Sequence, residues 1–115
     1  MNEDVRLNTH VAQMLESVEL AMSYVDGLSQ ADFVADRKTQ QAAVLNLIVI
    51  GEIATKIERD FPEFAAQESH IPWKSMRGMR NRIAHGYFEI DLSTVWDTLQ
   101  TALPDLHAKL RLITR

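Results

Sequence analysis

Residues 39–59 read TQQAAVLNLIVIGEIATKIER, and the choice between strand and helix here decides the fold. The β-branched run Ile48-Val49-Ile50 suits a strand. The apolar pattern, however, starts at Ala42 and continues through Leu45, Ile53 and Ala54 to Ile57, well beyond strand length. We therefore read one helix over about Thr39 to Arg59. Its apolar residues cover most of the circumference, the mark of a helix buried by neighbours on several sides. Gly51 lies in its middle, where glycine costs about 1 kcal/mol relative to alanine. A glycine kept there implies close approach of another backbone. Glu52 beside it is a carboxylate in apolar company.

Upstream, Leu7, Val11, Met14/Leu15, Val18, Ala21/Met22 and Val25 recur at spacings of three and four. They predict a helix from about Asp4 to Asp26, with Gly27 as its stop. Ser29-Gln30-Ala31-Asp32 has the pattern of a capping box before a short helix to Val34. Asp36-Arg37-Lys38 marks a bend or a fresh start. Downstream, Phe61-Pro62 ends the central helix, and residues 62–71 form a loop with a helical turn at Glu63 to Gln67. Asp91 caps a last helix whose stripe is Leu92, Trp96, Leu99, Leu103, Leu106, Leu110 and Ile113. Pro104 falls inside that stripe and should kink or split it. Lys109, Arg111 and Arg115 suit its C-terminal end.

Between these lies WKSMRGMRNRIAHGYF, residues 73–88. Pro72 suits a helix start and Gly86 a left-handed stop. Trp73, Met76, Met79, Ile83 and Ala84 form the apolar side; Lys74, Arg77, Gly78 and Asn81 lie opposite. Arg80 is the misfit, because it falls within the apolar stripe. It must bury its stem and find an anion, since an unpaired buried charge costs about 3–5 kcal/mol. Glu52 or Asp36 could pair with it, or a phosphate. The sum is an all-α, up-and-down bundle of four main helices plus a short helix, one domain over 1–115.

Composition narrows the function classes. The chain has 115 residues and no Cys, which excludes disulfides, thiolate chemistry and Cys-based zinc sites. We expect no metal and no cofactor. The N-terminus MNEDVRLNTH is unlike a signal peptide, and no apolar run can span a bilayer. A soluble, cytoplasmic protein is the expectation. Acidic residues outnumber basic ones, 16 to 12, yet none occurs from Ser69 through Phe88, which holds four of the basic residues. Positive charge gathered on an acidic chain points to a specific anionic ligand.

The residues in this segment could cleave RNA without a metal. A base must take the proton of the ribose 2′-OH, an acid must protonate the leaving 5′-oxygen, and a cation must stabilise the phosphate. His85 suits proton transfer, Arg80 suits a phosphate, and Asn81 is a neutral hydrogen-bonder. Arg80 and His85 are five apart, so a straight helix points them about 140° from each other. They can share one site if the helix loosens near Gly86 or if a second chain supplies the complement. This segment has only one histidine, a reason to expect a homodimer with a shared cleft. Blander roles exist: an ion pair for Arg80, a helix-end histidine for His85, and a core or interface aromatic for Tyr87. Lys74, Arg77 and Arg82 form a solvated face or contact RNA backbone. Glu52 could orient Arg80 or tune His85, or simply make a helix-packing hydrogen bond.

Arg80-Asn81-Arg82-Ile83-Ala84-His85 resembles the motif of the HEPN superfamily: Arg, a polar residue, three more, then His. His85-Gly86-Tyr87 is similar to the longer His-x-Tyr form of HepT-like toxins. The Gly51-Glu52 pair, the Pro72-Trp73 entry, Trp96 and Leu103-Pro104 follow in the same order. The resemblance implies an all-α homodimer acting as a metal-independent endoribonuclease, the toxin of a type VII-like toxin–antitoxin pair. It implies an antitoxin that is a minimal nucleotidyltransferase (MNT) and transfers AMP to Tyr87. It makes Arg80, Asn81 and His85 catalytic. The alternative is a non-catalytic helical subunit that binds substrate for a separate nucleotidyltransferase.

Overall fold

Asp36 starts the helix on which the others pack. Its carboxylate accepts the Thr39 amide at 3.1 Å and the Thr39 hydroxyl at 2.6 Å, capping α3 (Arg37–Asp60). The computed structural model describes residues 2–113, and the described residues contain helices and turns but no strand. The β-branched run Ile48-Val49-Ile50 is helical, as the length of the apolar pattern required. Before α3 come α1 (Glu3–Tyr24) and the short α2 (Gln30–Val34), whose Ser29–Asp32 capping box is formed in both directions. Gly27 ends the first segment at φ 78°, a left-handed conformation that suits glycine.

After α3, the helical turn expected at Glu63 to Gln67 is the helix α4 (Pro62–Gln67). Then come α5 (Trp73–His85), a 3-10 turn at Tyr87–Glu89, and the last rod. The Trp73 indole N–H donates to the Ala65 and Glu68 carbonyls at 3.1 and 3.2 Å, which fixes how the chain enters α5. Pro72 is the cap of α5 and not its first turn. Gly86 does end α5, but at φ −149°, not in the left-handed region. It is a stop without a demand for glycine.

Asp91 caps the last rod by accepting the Ser93 amide and the Thr94 hydroxyl, each at 3.0 Å. The rod comprises α6 (Leu92–Asp97), a π turn at Thr98–Ala102 and α7 (Leu103–Ile113). Pro104 lacks the N–H that an α-helix would aim at residue 100. The chain accommodates this by widening one turn, so that the Leu103 N–H bonds the Thr98 carbonyl five residues back. The expected disruption is therefore a π turn. Arg115, expected at the end of this rod, lies outside the described residues.

Cross-contacts give the helix directions. Arg6, near the start of α1, pairs with Asp60 at the end of α3 at 3.5 Å. Glu52 and Glu58 of α3 meet Arg80 and Arg77 of α5 in reversed order. Residues near the start of α5 line a groove with Leu103 and Leu106, whereas its end meets Asp91 and Val95. The four main elements thus run up, down, up and down, a HEPN-like bundle. Met14, Val18, Phe33, Ile50, Ile57, Ile83, Leu99 and Leu110 fill its centre.

Two expectations about exposure need correction. Leu45 is 60% exposed, because none of the described helices covers the strip of α3 that also holds Gln41. Ala84, placed on the apolar side of α5, is exposed as well.

Asp36 offers a test of how α3 begins. The Thr39 hydroxyl, then its amide, hold this carboxyl below the usual carboxylate range. A lowered folded pKa gives stability that is present at neutral pH and lost as pH falls through that folded value. Asp36→Ala should lower the melting temperature at pH 7, and the gap to wild type should close in acid. Thermal melts across pH check this.

Candidate functional site

The site begins at Gly51. A Cβ placed there would stand 2.3 Å from the Arg80 Cβ and 2.8 Å from the Met76 carbonyl oxygen. Only a missing side chain lets α5 lie this close to α3, which is the close approach that the mid-helix glycine implied. The consequence is local: Arg80 starts directly over α3, and the next α3 residue, Glu52, meets its head. The Arg80 Nε donates to the Glu52 carboxylate. Its Nη1 donates to the Asn81 side-chain oxygen at 3.0 Å. Of the two carboxylates considered for Arg80, the partner is therefore Glu52, and Asp36 is engaged as a cap.

This pairing does not seal the arginine away. Its side chain keeps 35% of its exposure and that of Glu52 43%. The stem is packed, the head is held from two sides, and about a third of the side chain stays open to solvent. A fixed, reachable guanidinium can receive a phosphate without first being ordered.

The other cations divide. Arg77 donates to Glu58, so the seam between α3 and α5 carries two ion pairs, and Arg77 is less free than expected. Two carboxylates six apart on α3 meet two arginines three apart on the antiparallel α5, a match of register that neither segment encodes alone. Lys74 and Arg82 are exposed. The Arg82 Nη2 lies 4.0 Å from the Met79 sulfur.

His85 is the final residue of α5 and is exposed. The helix does not loosen before it, so within one chain the Arg80 and His85 stems diverge by about 140°. Asn81 stands between them: it holds Arg80 and shares a helix face with His85, four residues on. Glu52 meets Arg80, and no ion pair joins it to His85 among the described residues. His85 lines an open groove of about 460 Å³ between α5 and α6, together with Arg82, Glu89, Asp91 and Thr94 above an apolar floor. Glu89 and Thr94 were not singled out by pattern. Their only signal is position: Glu89 is the first carboxylate after the acid-free run.

Tyr87 lies elsewhere. It belongs to the 3-10 turn, is 43% exposed, and meets Phe88 edge-on at 5.6 Å. Both rings line a second groove, about 220 Å³, with Arg37, Gln41 and Val44 of α3. The structure thus brings Arg80, Asn81 and Glu52 together, sets His85 and Arg82 on one groove, and turns Tyr87 to another. Among the described residues no group of three or more His, Asp or Glu is placed to hold a metal ion. None of the described helices is long and apolar enough to cross a membrane.

Comparison with known proteins adds an independent line. The family model for ribonuclease HepT-like proteins matches residues 14–113. The chain is 32% identical to a protein named "Probable ribonuclease HepT" from Thermococcus cleftensis, over 87% of this chain and 88% of that one. It is 31% identical to a proposed RNase of Caldanaerobacter subterraneus subsp. tengcongensis, over 89% and 88% of the two chains. A proposed RNase of Methanocaldococcus jannaschii is 32% identical, over 81% and 74%. No solved structure gives a significant match.

Proposed function

The chain belongs to the ribonuclease HepT-like family, and on that premise we propose that it is a metal-independent endoribonuclease built as a homodimer. In this reading it is the toxin of a type VII-like HEPN/MNT pair. The observation that carries the reading is the seating of Arg80: packed against Gly51, aimed by Glu52 and Asn81, and still open to a ligand.

Each active site then takes Arg80 from one subunit and His85 from the other. The divergence of the two stems along α5 supports this, because no bend returns them to one face. The open strip of α3 with Leu45, the exposed Ala84 and the fully exposed Phe88 offer apolar surface for a second copy. The histidine of each site serves as base and then as acid: it takes the 2′-OH proton, the 2′-oxygen attacks phosphorus, and the imidazolium returns the proton to the departing 5′-oxygen. Arg80 stabilises the charge on the phosphate, and Asn81 keeps its guanidinium turned toward the cleft. Lys74, Arg77 and Arg82 contact RNA backbone, Arg77 through what its pairing with Glu58 leaves free.

Regulation falls on Tyr87. An MNT antitoxin transfers AMP from ATP: the phenolic oxygen attacks the α-phosphate, loses its proton, and pyrophosphate leaves. The exposure of Tyr87 suits such access. A bulky anion two residues from His85 would compete with RNA for the same positive field.

The purified protein, incubated with single-stranded RNA in excess EDTA, should yield products ending in a 2′,3′-cyclic phosphate. Made alongside the MNT, it should carry AMP on the Tyr87 peptide and cleave poorly. No cleavage by unmodified protein, with no toxicity on expression alone, would favour a non-catalytic subunit that holds substrate for the nucleotidyltransferase.

A further inference from the structure

The groove beside His85 has more chemistry than phosphate cleavage requires. Its floor is apolar: Met79, Ile83, Ile90 and Val95 come from α5, from the stretch before α6 and from α6 itself. Its volume, about 460 Å³, falls in the range of small-ligand sites, roughly 300–1,000 Å³. Arg82 supplies a cation on the rim, and it has no carboxylate partner among the described residues. Two carboxylates also line the groove, and they differ. Both oxygens of Asp91 are engaged, one by the Ser93 amide and one by the Thr94 hydroxyl. Among the described residues Glu89 has no such engagement. Its carboxylate folds back over Gly86, with Oε2 3.7 Å from where a Cβ on that glycine would stand. A free carboxylate thus overhangs the residue that follows His85.

We propose that this groove holds a guanine base of the RNA beside the phosphate to be cut, and that Glu89 reads it. This rests on the ribonuclease reading above and assigns the base preference of the same site. An apolar floor suits the face of a nucleobase. An ionised carboxylate only accepts hydrogen bonds, through two oxygens. The Watson–Crick edge of guanine offers two adjacent donors, N1–H and the exocyclic amine, which one carboxylate takes together. Adenine and cytosine present one donor group on that edge, and uracil one N–H, so each leaves one carboxylate oxygen unpaired. Arg82 sits where it can meet the phosphate attached to the bound nucleotide.

The test maps cleavage ends on a random-sequence single-stranded RNA pool by sequencing. Wild type should show guanine enriched by about tenfold at one fixed position next to the cut. Glu89→Gln should lose that enrichment, because an amide replaces one acceptor with a donor. Glu63→Gln, on α4 and away from the groove, should keep it. Cleavage with no base enriched, or enrichment unchanged in Glu89→Gln, overturns the proposal. If wild type cuts nothing, the nuclease reading fails and the groove is judged by equilibrium binding. Binding of 5′-GMP about tenfold tighter than 5′-AMP, lost in Glu89→Gln, upholds the guanine site. Equal binding, or none, overturns it. A thermal melt of each variant confirms folding; Glu89 is exposed and caps nothing, so both substitutions should fold.

Discussion

Replacing His85 by alanine should slow RNA cleavage by roughly 10²- to 10⁴-fold, the contribution expected of a positioned proton-transfer group. The melting temperature should stay close to that of wild type. The second half of this expectation comes from the structure. His85 is exposed at the end of α5, fills no core position, and the next residue already leaves the helix. A helix-end histidine of purely structural value would behave in the opposite way. Its loss would cost a few tenths of a kcal/mol, up to about 1 kcal/mol, and leave cleavage alone. Cleavage rates on a defined single-stranded RNA, beside a thermal melt, separate the two. Expression without any antitoxin gives the same contrast in cells: His85→Ala should relieve a growth defect that wild type causes.

The second large effect belongs to Gly51. Gly51→Ala would normally favour a helix by about 1 kcal/mol. Here the new Cβ collides with the Arg80 Cβ and the Met76 carbonyl, at 2.3 and 2.8 Å. Neither is the free end of a side chain, so neither can swing aside. The whole of α5 must move off α3, and Trp73, Met76 and Ile83, its buried face, lose packing. Overpacking of this kind costs about 1–3 kcal/mol, occasionally more, and outweighs the gain in propensity. The melting temperature should fall by roughly 4–8 °C or more. Cleavage should fall with it, because Arg80 loses the seat that aims it. Gly78→Ala is the control. It lies on α5, two residues before Arg80, but a Cβ there meets nothing within 4 Å. It should be neutral or slightly stabilising. A Gly51→Ala protein as stable and as active as wild type would mean that the contact between α3 and α5 does not set the site.

The helices were legible because each has a long signal. The apolar pattern of α3 outruns strand length, the stripe of α1 repeats over six positions, and Ser29 and Asp91 cap as their sequence contexts suggest. Gly51 was readable for the same reason, since a costly residue mid-helix asks for an explanation. What sequence could not reveal depends on where two helices cross. The Arg77–Glu58 pair and the choice of Glu52 over Asp36 for Arg80 follow from the register of α3 against α5, which no local pattern encodes. Gly86 misled because a helix stop is usually left-handed, and here the chain instead turns through a 3-10 segment. Pro104 announced a disruption without announcing its form. The His85 groove escaped notice because its walls, all within residues 79–95, face each other only through the turn from α5 into α6, whose form no local pattern announces.

The central claim is that Arg80 of one subunit works with His85 of the other. Mixing Arg80→Ala and His85→Ala subunits by co-expression tests it most directly. Each homodimer should be inactive. Random pairing makes about half of the dimers mixed, each with one complete site of two, so cleavage should return to about a quarter of the wild-type rate. A mixture no more active than its two parents, with mixed dimers confirmed by mass, would contradict the shared site.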